Sequence, residues 1–349
     1  MKKLITTFFA FFLVLLSVSC SSSSNNNWWE VYFTTPGQEK QEILQTLVKL
    51  IDNAKTSIHI AAFEFNLDPV AEALVKAKQR GVDVEWITDD EQGLKADKKP
   101  EHGQFAKLTK AGIKVISDNR RGLMHDKFII FDGQTVWTGS TNLTINGTQK
   151  NNNNVLVMKS PEIATIYEGE FQEMQAGKFG VTSPSTVAQQ KVNVKDTPVQ
   201  ILFGAEDNVA QFLVGEIGKA AKSIEFMAFS FTLDEMGETM AKKAQEGVKV
   251  QGIFELRGSE TQYSELPRLF CQGLPVKQDG NPRTFHHKVI ILDGETVVTG
   301  SFNFSNNADQ KNDENVVIIK NPQIAKLYQA ELNRRWAEGK KPDKSKIKC

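Results

Sequence analysis

The chain contains one segment twice. Ser57-Ile58-His59-Ile60-Ala61-Ala62-Phe63-Glu64-Phe65-Asn66-Leu67-Asp68 returns as Ser223-Ile224-Glu225-Phe226-Met227-Ala228-Phe229-Ser230-Phe231-Thr232-Leu233-Asp234, a shift of 166 residues that also carries Gly81 to Gly247. Further on, His125, Lys127, Asp132, Gly139, Ser140 and Asn142 return as His286, Lys288, Asp293, Gly300, Ser301 and Asn303, a shift of 161. One net deletion of five residues between Gly247 and His286 reconciles the two shifts. A repeat of this period fixes the architecture before any local pattern is weighed, because two copies of one unit must each fold and then pack together. At 349 residues there is room for two units, each with its own core.

Each half reads the same way. A helix (about residues 38–54 and 208–221) precedes a strongly apolar strand with polar ends, as expected of a buried sheet strand. A second helix follows, with Asp68 or Asp234 as its N-cap, Pro69 at the first helical position and Gly81 or Gly247 at its end. Residues 82–88 and 248–254 are strands, and two more short strands join through Asp132-Gly133 or Asp293-Gly294 as a hairpin. A last helix starts at Pro161 or Pro322. The expected fold class is therefore α/β: two pseudo-repeated halves, each a mostly parallel or mixed sheet flanked by helices, with the functional site where they meet. The halves span 29–176 and 198–338, joined by a Ser/Thr/Gln-rich linker at 177–197 and followed by a tail, 339–349.

The N-terminus is a targeting segment: Lys2 and Lys3, an apolar run from Leu4 to Leu16, then Ser17-Val18-Ser19-Cys20. The run is too short to span a bilayer. It resembles a bacterial lipoprotein signal, which implies cleavage, lipidation of Cys20 and attachment to a membrane surface of the cell envelope. Ser17 departs from that pattern, so ordinary secretion stands as the alternative. Residues 21–28 read as a polar tether. Export exposes Cys271 and Cys349 to an oxidising compartment, where they either pair or remain two separate thiols. Lys plus Arg equals Asp plus Glu at 42 each, so the chain lacks a general attraction for long polyanions, although a local basic groove is compatible with this balance.

The segment His125-Asp126-Lys127-Phe128-Ile129-Ile130-Phe131-Asp132 with Gly139-Ser140-Thr141-Asn142, and its second copy from His286 to Asp293 with Gly300-Ser301-Phe302-Asn303, resembles the HxKxxxxD...GSxN signature of the phospholipase D superfamily. Two full copies in a chain with five His make the likeness specific for the superfamily, though not for a substrate. The spacing has a physical sense of its own. Alternate residues of a strand share a face, so His125 and Lys127 point together, as do His286 and Lys288. Gly139-Ser140 and Gly300-Ser301 are expected to bring backbone and hydroxyl donors to a bound anion, with Asn142 and Asn303 adding amides. Together these groups suit one phosphate.

The resemblance implies a phosphodiesterase working through a phosphohistidine without metal or other cofactor. One His attacks phosphorus; the other protonates the leaving oxygen and then activates water. It assigns attack to His125 and acid/base work to His286, with Lys127 and Lys288 stabilising charge on the phosphoryl oxygens. Asp132 and Asp293, placed with the catalytic set by the motif, are expected to hold the motif strands through hydrogen bonds and charge pairing, with no direct contact to substrate. Asn312-Asp313-Glu314-Asn315 resembles a downstream NxE segment whose carboxylate orients a catalytic imidazole. Glu314 serves either His286 or, as the resemblance favours, His125 across the interface; the 161 shift leaves Asn153 as its counterpart.

Other residues admit blander readings. Phe63, Phe65, Phe229 and Phe231, at period two, read as core before they read as a lipid or base pocket. Trp28 and Trp29 read as a packed strand before a membrane contact. Arg120 and Arg121 are equally phosphate contacts or solvated charges. A metal site on His286-His287 is disfavoured, because adjacent strand residues face opposite ways. His59 and His102 carry no role. The leading substrate is a phospholipid, cleaved to head group and phosphatidic acid by a monomer of two fused halves; the alternative is a metal-independent endonuclease acting on DNA or RNA.

Overall fold

The computed structural model describes residues 27–37, 41–183 and 190–349, so Cys20 and the targeting segment lie outside the described residues. Each half is built on one mixed sheet. The first has seven strands in the spatial order Trp29–Phe33, Asn154–Lys159, Thr135–Gly139, Lys127–Phe131, Ser57–Ala62, Asp83–Thr88, Lys114–Ser117. The second has eight and keeps the same central order, with Lys288–Leu292 between Ser223–Ala228 and Thr296–Gly300. Parallel pairing is confined to the strands reached through helical crossovers, such as Ser57–Ala62 with Asp83–Thr88; the remaining pairs are antiparallel.

Period-two alternation buries both faces of each sheet. In Lys127–Phe131, Ile129 and Phe131 enter an outer core with Leu47, Ile51, Val70 and Leu74 of two covering helices, whereas Phe128 and Ile130 enter a central core. The central core also takes Val289 and Ile291 of the second half, together with the inner faces of helices Pro161–Gln175 and Pro322–Glu338. The two halves thus share a helical layer between their sheets. Each of these helices begins with a capping side chain before proline: Ser160 Oγ accepts from Ile163 N at 3.3 Å, and Asn321 Oδ1 from Gln323 N at 2.9 Å.

Two expectations need correction. Asp68 and Asp234 lie inside their helices; Leu67 and Leu233 occupy the cap positions without a side-chain hydrogen bond. The acids favour the helix start through its dipole instead. The segment expected to be a linker carries strand Lys191–Val194, which forms a hairpin with Thr197–Phe203, so the second sheet starts inside it. Trp28 and Trp29 are buried, and the strand from Trp29 pairs with Asn154–Lys159. Cys271 and Cys349 form a disulfide that fastens the C-terminal tail. No helix among the described residues is long and apolar enough to cross a membrane.

Asp132 and Asp293 stand at the far end of the motif strands, roughly 16 Å along an extended chain from Lys127 and Lys288. Each opens the tight turn of its hairpin with a positive φ, 54° and 56°. The Asp132 carboxylate accepts the backbone N–H groups of Lys55, Thr56 and Ser57, and Asp293 accepts those of Ala221, Lys222 and Ser223. Each ties the turn to the start of the neighbouring strand. They hold the strands by hydrogen bonds, with Lys222 adding a charge attraction at Asp293, and at this distance they touch no substrate, as expected; the motif's grouping of them with the catalytic set does not describe a direct role.

Candidate active site

The two motif strands end where the halves meet, and the chain crosses between halves at that point. His125 N donates to Asp313 O (2.9 Å) and Asp313 N to Leu123 O (2.9 Å); symmetrically, His286 N donates to Asn152 O (2.9 Å) and Asn152 N to Thr284 O (2.9 Å). The side chains cross as well. His125 Nδ1 lies 2.8 Å from both Glu314 oxygens, and His286 Nδ1 lies 2.9 Å from Asn153 Oδ1 and 3.0 Å from Ser140 O. Each imidazole is therefore oriented by the opposite half.

These contacts set the tautomers. A carbonyl oxygen only accepts, so His286 Nδ1 carries a proton and its Nε2 is left for chemistry. The Glu314 carboxylate imposes the same arrangement on His125. The partners differ in strength: a hydrogen bond to a charged group contributes about 1.5–3 kcal/mol and a neutral one about 0.5–1.5 kcal/mol. Positive charge on the ring is thus better supported at His125. Burial holds both histidines well below the ordinary imidazole range, with repulsion from Lys127 and Lys288 acting in the same direction.

The lysines complete the centre. Lys127 Nζ donates to His125 O (2.7 Å) and Lys288 Nζ to His286 O (2.9 Å), which fixes each ammonium beside its own histidine. Burial lowers Lys127 to about 8 and takes Lys288 well below its usual range, with repulsion from Lys127 adding to the fall. Two desolvated ammonium groups, balanced here by Glu314, gain most when an anion enters between them. Phe63 and Phe229 belong to this centre, contrary to their reading as core. Their rings pack on His125 and His286 at 4.9 and 4.8 Å and lie 5.2 and 4.7 Å from the lysine Nζ atoms. Phe65 and Phe231 are core as expected.

Ser140 and Ser301 do not serve as anion donors. Both are fully buried; Ser140 Oγ donates to Asn153 Oδ1 (2.8 Å) and Ser301 Oγ to Glu314 Oε2 (2.6 Å). Their backbone N–H groups are bonded to Asn154 O and Asn315 O. They hold the residues that hold the histidines. The preceding glycines are dictated by the adjacent strand: at Gly139 and Gly300, with φ of 143° and 141°, a Cβ would stand 2.4 and 2.1 Å from those same carbonyl oxygens. Asn142 Nδ2 donates to Glu64 Oε2 (3.2 Å), and Asn142 and Asn303 each keep a buried Oδ1 without a partner among the described residues.

Arg120 proves to be a clamp between halves: Nη1 donates to Lys311 O (2.7 Å) and Nη2 pairs with Asp313. Arg121 is exposed. His59, opposite Ile130 on the strand beside the motif strand, packs flat on Phe171 and pairs with Glu168 (2.9 Å).

The reading by motif missed Glu64 and a layer beneath the site. Asn315 Oδ1 accepts from Thr138 Oγ1 (2.6 Å) and Tyr167 OH (3.2 Å), while its Nδ2 donates to Asp126 (2.7 Å). Asn154 Oδ1 accepts from Thr299 Oγ1 (2.8 Å) and Tyr328 OH (3.2 Å), while its Nδ2 meets His287 Nδ1 (3.1 Å). Thr138, Asn154 and Tyr167 recur as Thr299, Asn315 and Tyr328 at the 161 shift, the signal that could have found them.

A sequence family described as "Cardiolipin synthase, PLD-like domain" matches residues 47–175 and 213–336, which together are more than half of the chain. The chain belongs to the phospholipase D-like family. Among its relatives, a "Phospholipase D" of Rickettsia conorii is 36% identical over 139 residues, 39% of this chain and 69% of that protein. A "Mitochondrial cardiolipin hydrolase" of Xenopus tropicalis is 34% identical over 128 residues, 37% of this chain and 59% of its own length. The matches span little more than half to about two thirds of those relatives and under half of this chain. The solved phosphatidylserine synthase of Haemophilus influenzae superposes with a TM-score of 0.65, at 18% identity, over 89% of this chain and 87% of the other. That likeness concerns the two-half phospholipase D-like fold.

Proposed function

We propose that the protein is a phospholipase D-type phosphodiesterase that works through a phosphohistidine. The observation that carries this is the crossed pair: two buried imidazoles, each with Nδ1 held by the opposite half and Nε2 free, beside two ammonium groups. His125 Nε2 attacks phosphorus, and the positive charge its ring acquires is stabilised by Glu314. His286 takes up a proton at Nε2 as the anionic diester enters and offsets the lysine repulsion that keeps the ring neutral; with only neutral partners for its Nδ1–H, it then gives that proton readily to the leaving oxygen. It then takes a proton from the water that frees His125. Lys127 and Lys288 hold the non-bridging oxygens throughout.

The substrate we favour is a phospholipid, yielding head group and phosphatidic acid. The relatives named phospholipase D and cardiolipin hydrolase support it, as does the balanced charge of the chain, which offers little general attraction to nucleic acid. We further propose that Cys20 is lipidated and holds the enzyme on the envelope. The Cys271–Cys349 disulfide supports export, since such bonds persist in oxidising compartments.

The test is to incubate the protein in EDTA with phosphatidylcholine, cardiolipin, single-stranded DNA and a chromogenic phosphodiester, with His125→Ala as control. Cleavage of lipid and of the chromogenic diester, lost in the control, is expected. Cleavage of DNA but not lipid would replace the substrate with nucleic acid, and activity that returns only with added metal would overturn the mechanism.

A further inference from the structure

Strand alternation sends Asp126 away from His125 and Lys127, onto the central face with Phe128, whose ring meets Tyr167 of helix Pro161–Gln175 at 4.9 Å. Glu170 lies one turn further along that helix and is 1% exposed; Glu173 is 6% exposed. Carboxylate oxygens of Glu170, Glu173 and Glu206, the last from the second half, all lie within 4.8 Å of one another.

The repeat shows how the equivalent position is balanced in the other half. At the 161 shift, Glu170 corresponds to Glu331, Asp126 to His287, Glu173 to Arg334 and Met174 to Arg335. Glu331 meets His287 Nε2 at 3.4 Å, Arg335 Nε at 3.0 Å and the guanidinium of Arg334. The first half therefore has two acids and a methionine in the places of a histidine and two arginines. Asp126 is fully buried, its Oδ2 has no hydrogen-bond partner among the described residues, and it occupies the position from which His287 addresses Glu331. Both Glu206 oxygens are likewise shut from solvent and meet no donor among the described residues apart from the Glu170 carboxyl group. Carboxylates gathered away from water need a counter-charge. Burial and neighbouring carboxylates push Glu170 upward and Glu206 to about 9.

We propose that Glu170, Glu173 and Glu206, with Asp126 behind them, bind one hard divalent cation that ties helix Pro161–Gln175 of the first half to the second half. All-oxygen, carboxylate-rich ligation suits Ca²⁺, which accepts bidentate groups and flexible geometry. The ion supports the fold and takes no part in the reaction.

The experiment strips the full chain with EDTA and titrates it with CaCl2, MgCl2 or MnCl2, following binding by calorimetry and stability by thermal unfolding. One Ca²⁺ per chain is expected, with the melting temperature rising by about 5 °C at a hundredfold excess over Kd. Both effects should vanish in Glu206→Gln and in Glu173→Gln. Above about pH 9, where Glu206 is ionised, stripped Glu206→Gln should melt above the stripped parent, because one repelling charge is gone; this also shows that the variant folds. Absence of binding by all three ions at millimolar concentration, or binding unchanged in both variants, overturns the proposal. So does stability that falls with rising pH yet ignores every cation, which identifies shared protons instead. Activity of the stripped chain on the chromogenic diester, measured below its melting temperature, should be unchanged, so failure here is separable from failure of the proposed function.

Discussion

His125→Ala is expected to lower turnover of every diester by about 10⁴-fold or more, because it removes the atom that bonds to phosphorus and no neighbouring group replaces it. His286→Ala should behave differently. A chromogenic diester with a good leaving group needs little acid assistance, so the first step continues; the second stalls because no base activates water. The expected record is a burst of about one equivalent of chromophore followed by turnover slowed about 10²–10⁴-fold. Pre-steady-state absorbance reads both variants. Equal, burst-free loss in the two would show that they do not divide the roles as proposed. The difference in their partners, Glu314 for one and Asn153 for the other, is the structural reason to expect the division.

Lys127→Met and Lys288→Met are each expected to cost about 10²–10³-fold in kcat, the usual effect of deleting one donor to a developing oxyanion. The pH profile adds a sharper test. Lys127 titrates at about 8 against an ordinary 10.5 because burial disfavours its charge. The protonated form is the useful one, so kcat/KM should fall as pH rises past about 8. Stability runs the other way. Between the folded and unfolded pKa values the unfolded chain holds more protons at this residue, so Lys127's own contribution to stability rises with pH across that window. Loss of activity there is thus not loss of fold, and melting curves taken alongside the kinetics will show it. Glu314, raised by burial to about 8, titrates in the same range. Glu314 acts as the carboxylate, so its titration raises activity with pH and does not produce the falling limb; Lys127→Arg, whose guanidinium stays charged, should therefore move that limb to higher pH, and an unmoved limb would show that Lys127 does not set it.

The fold was legible because the repeat and its two-residue and helical periodicities act locally, and each half reports on the other. His125, Lys127, His286 and Lys288 were legible for the same reason. Ser140 and Ser301 were misplaced because a motif records which residues recur and not what they face. The serines turn inward to hold Asn153 and Glu314, and the aspartates close turns at the far end of the strands. Phe63 and Phe229 share the strand-like pattern of Phe65 and Phe231, and only the end of the strand decides that one pair borders the reacting groups. The crossing of Glu314 to His125 depends on how two halves dock, which no local pattern contains.

The most direct measurement of the central claim is the stereochemical course at phosphorus. A diester made chiral by one non-bridging sulfur, hydrolysed in ¹⁸O-water with EDTA present, reports whether phosphorus is displaced once or twice. Two in-line displacements, by His125 and then by water entering opposite His125 on the side the first leaving group vacated, give overall retention of configuration, which is the result predicted here. Overall inversion would mean that water attacks directly and that no histidine is ever bonded to phosphorus.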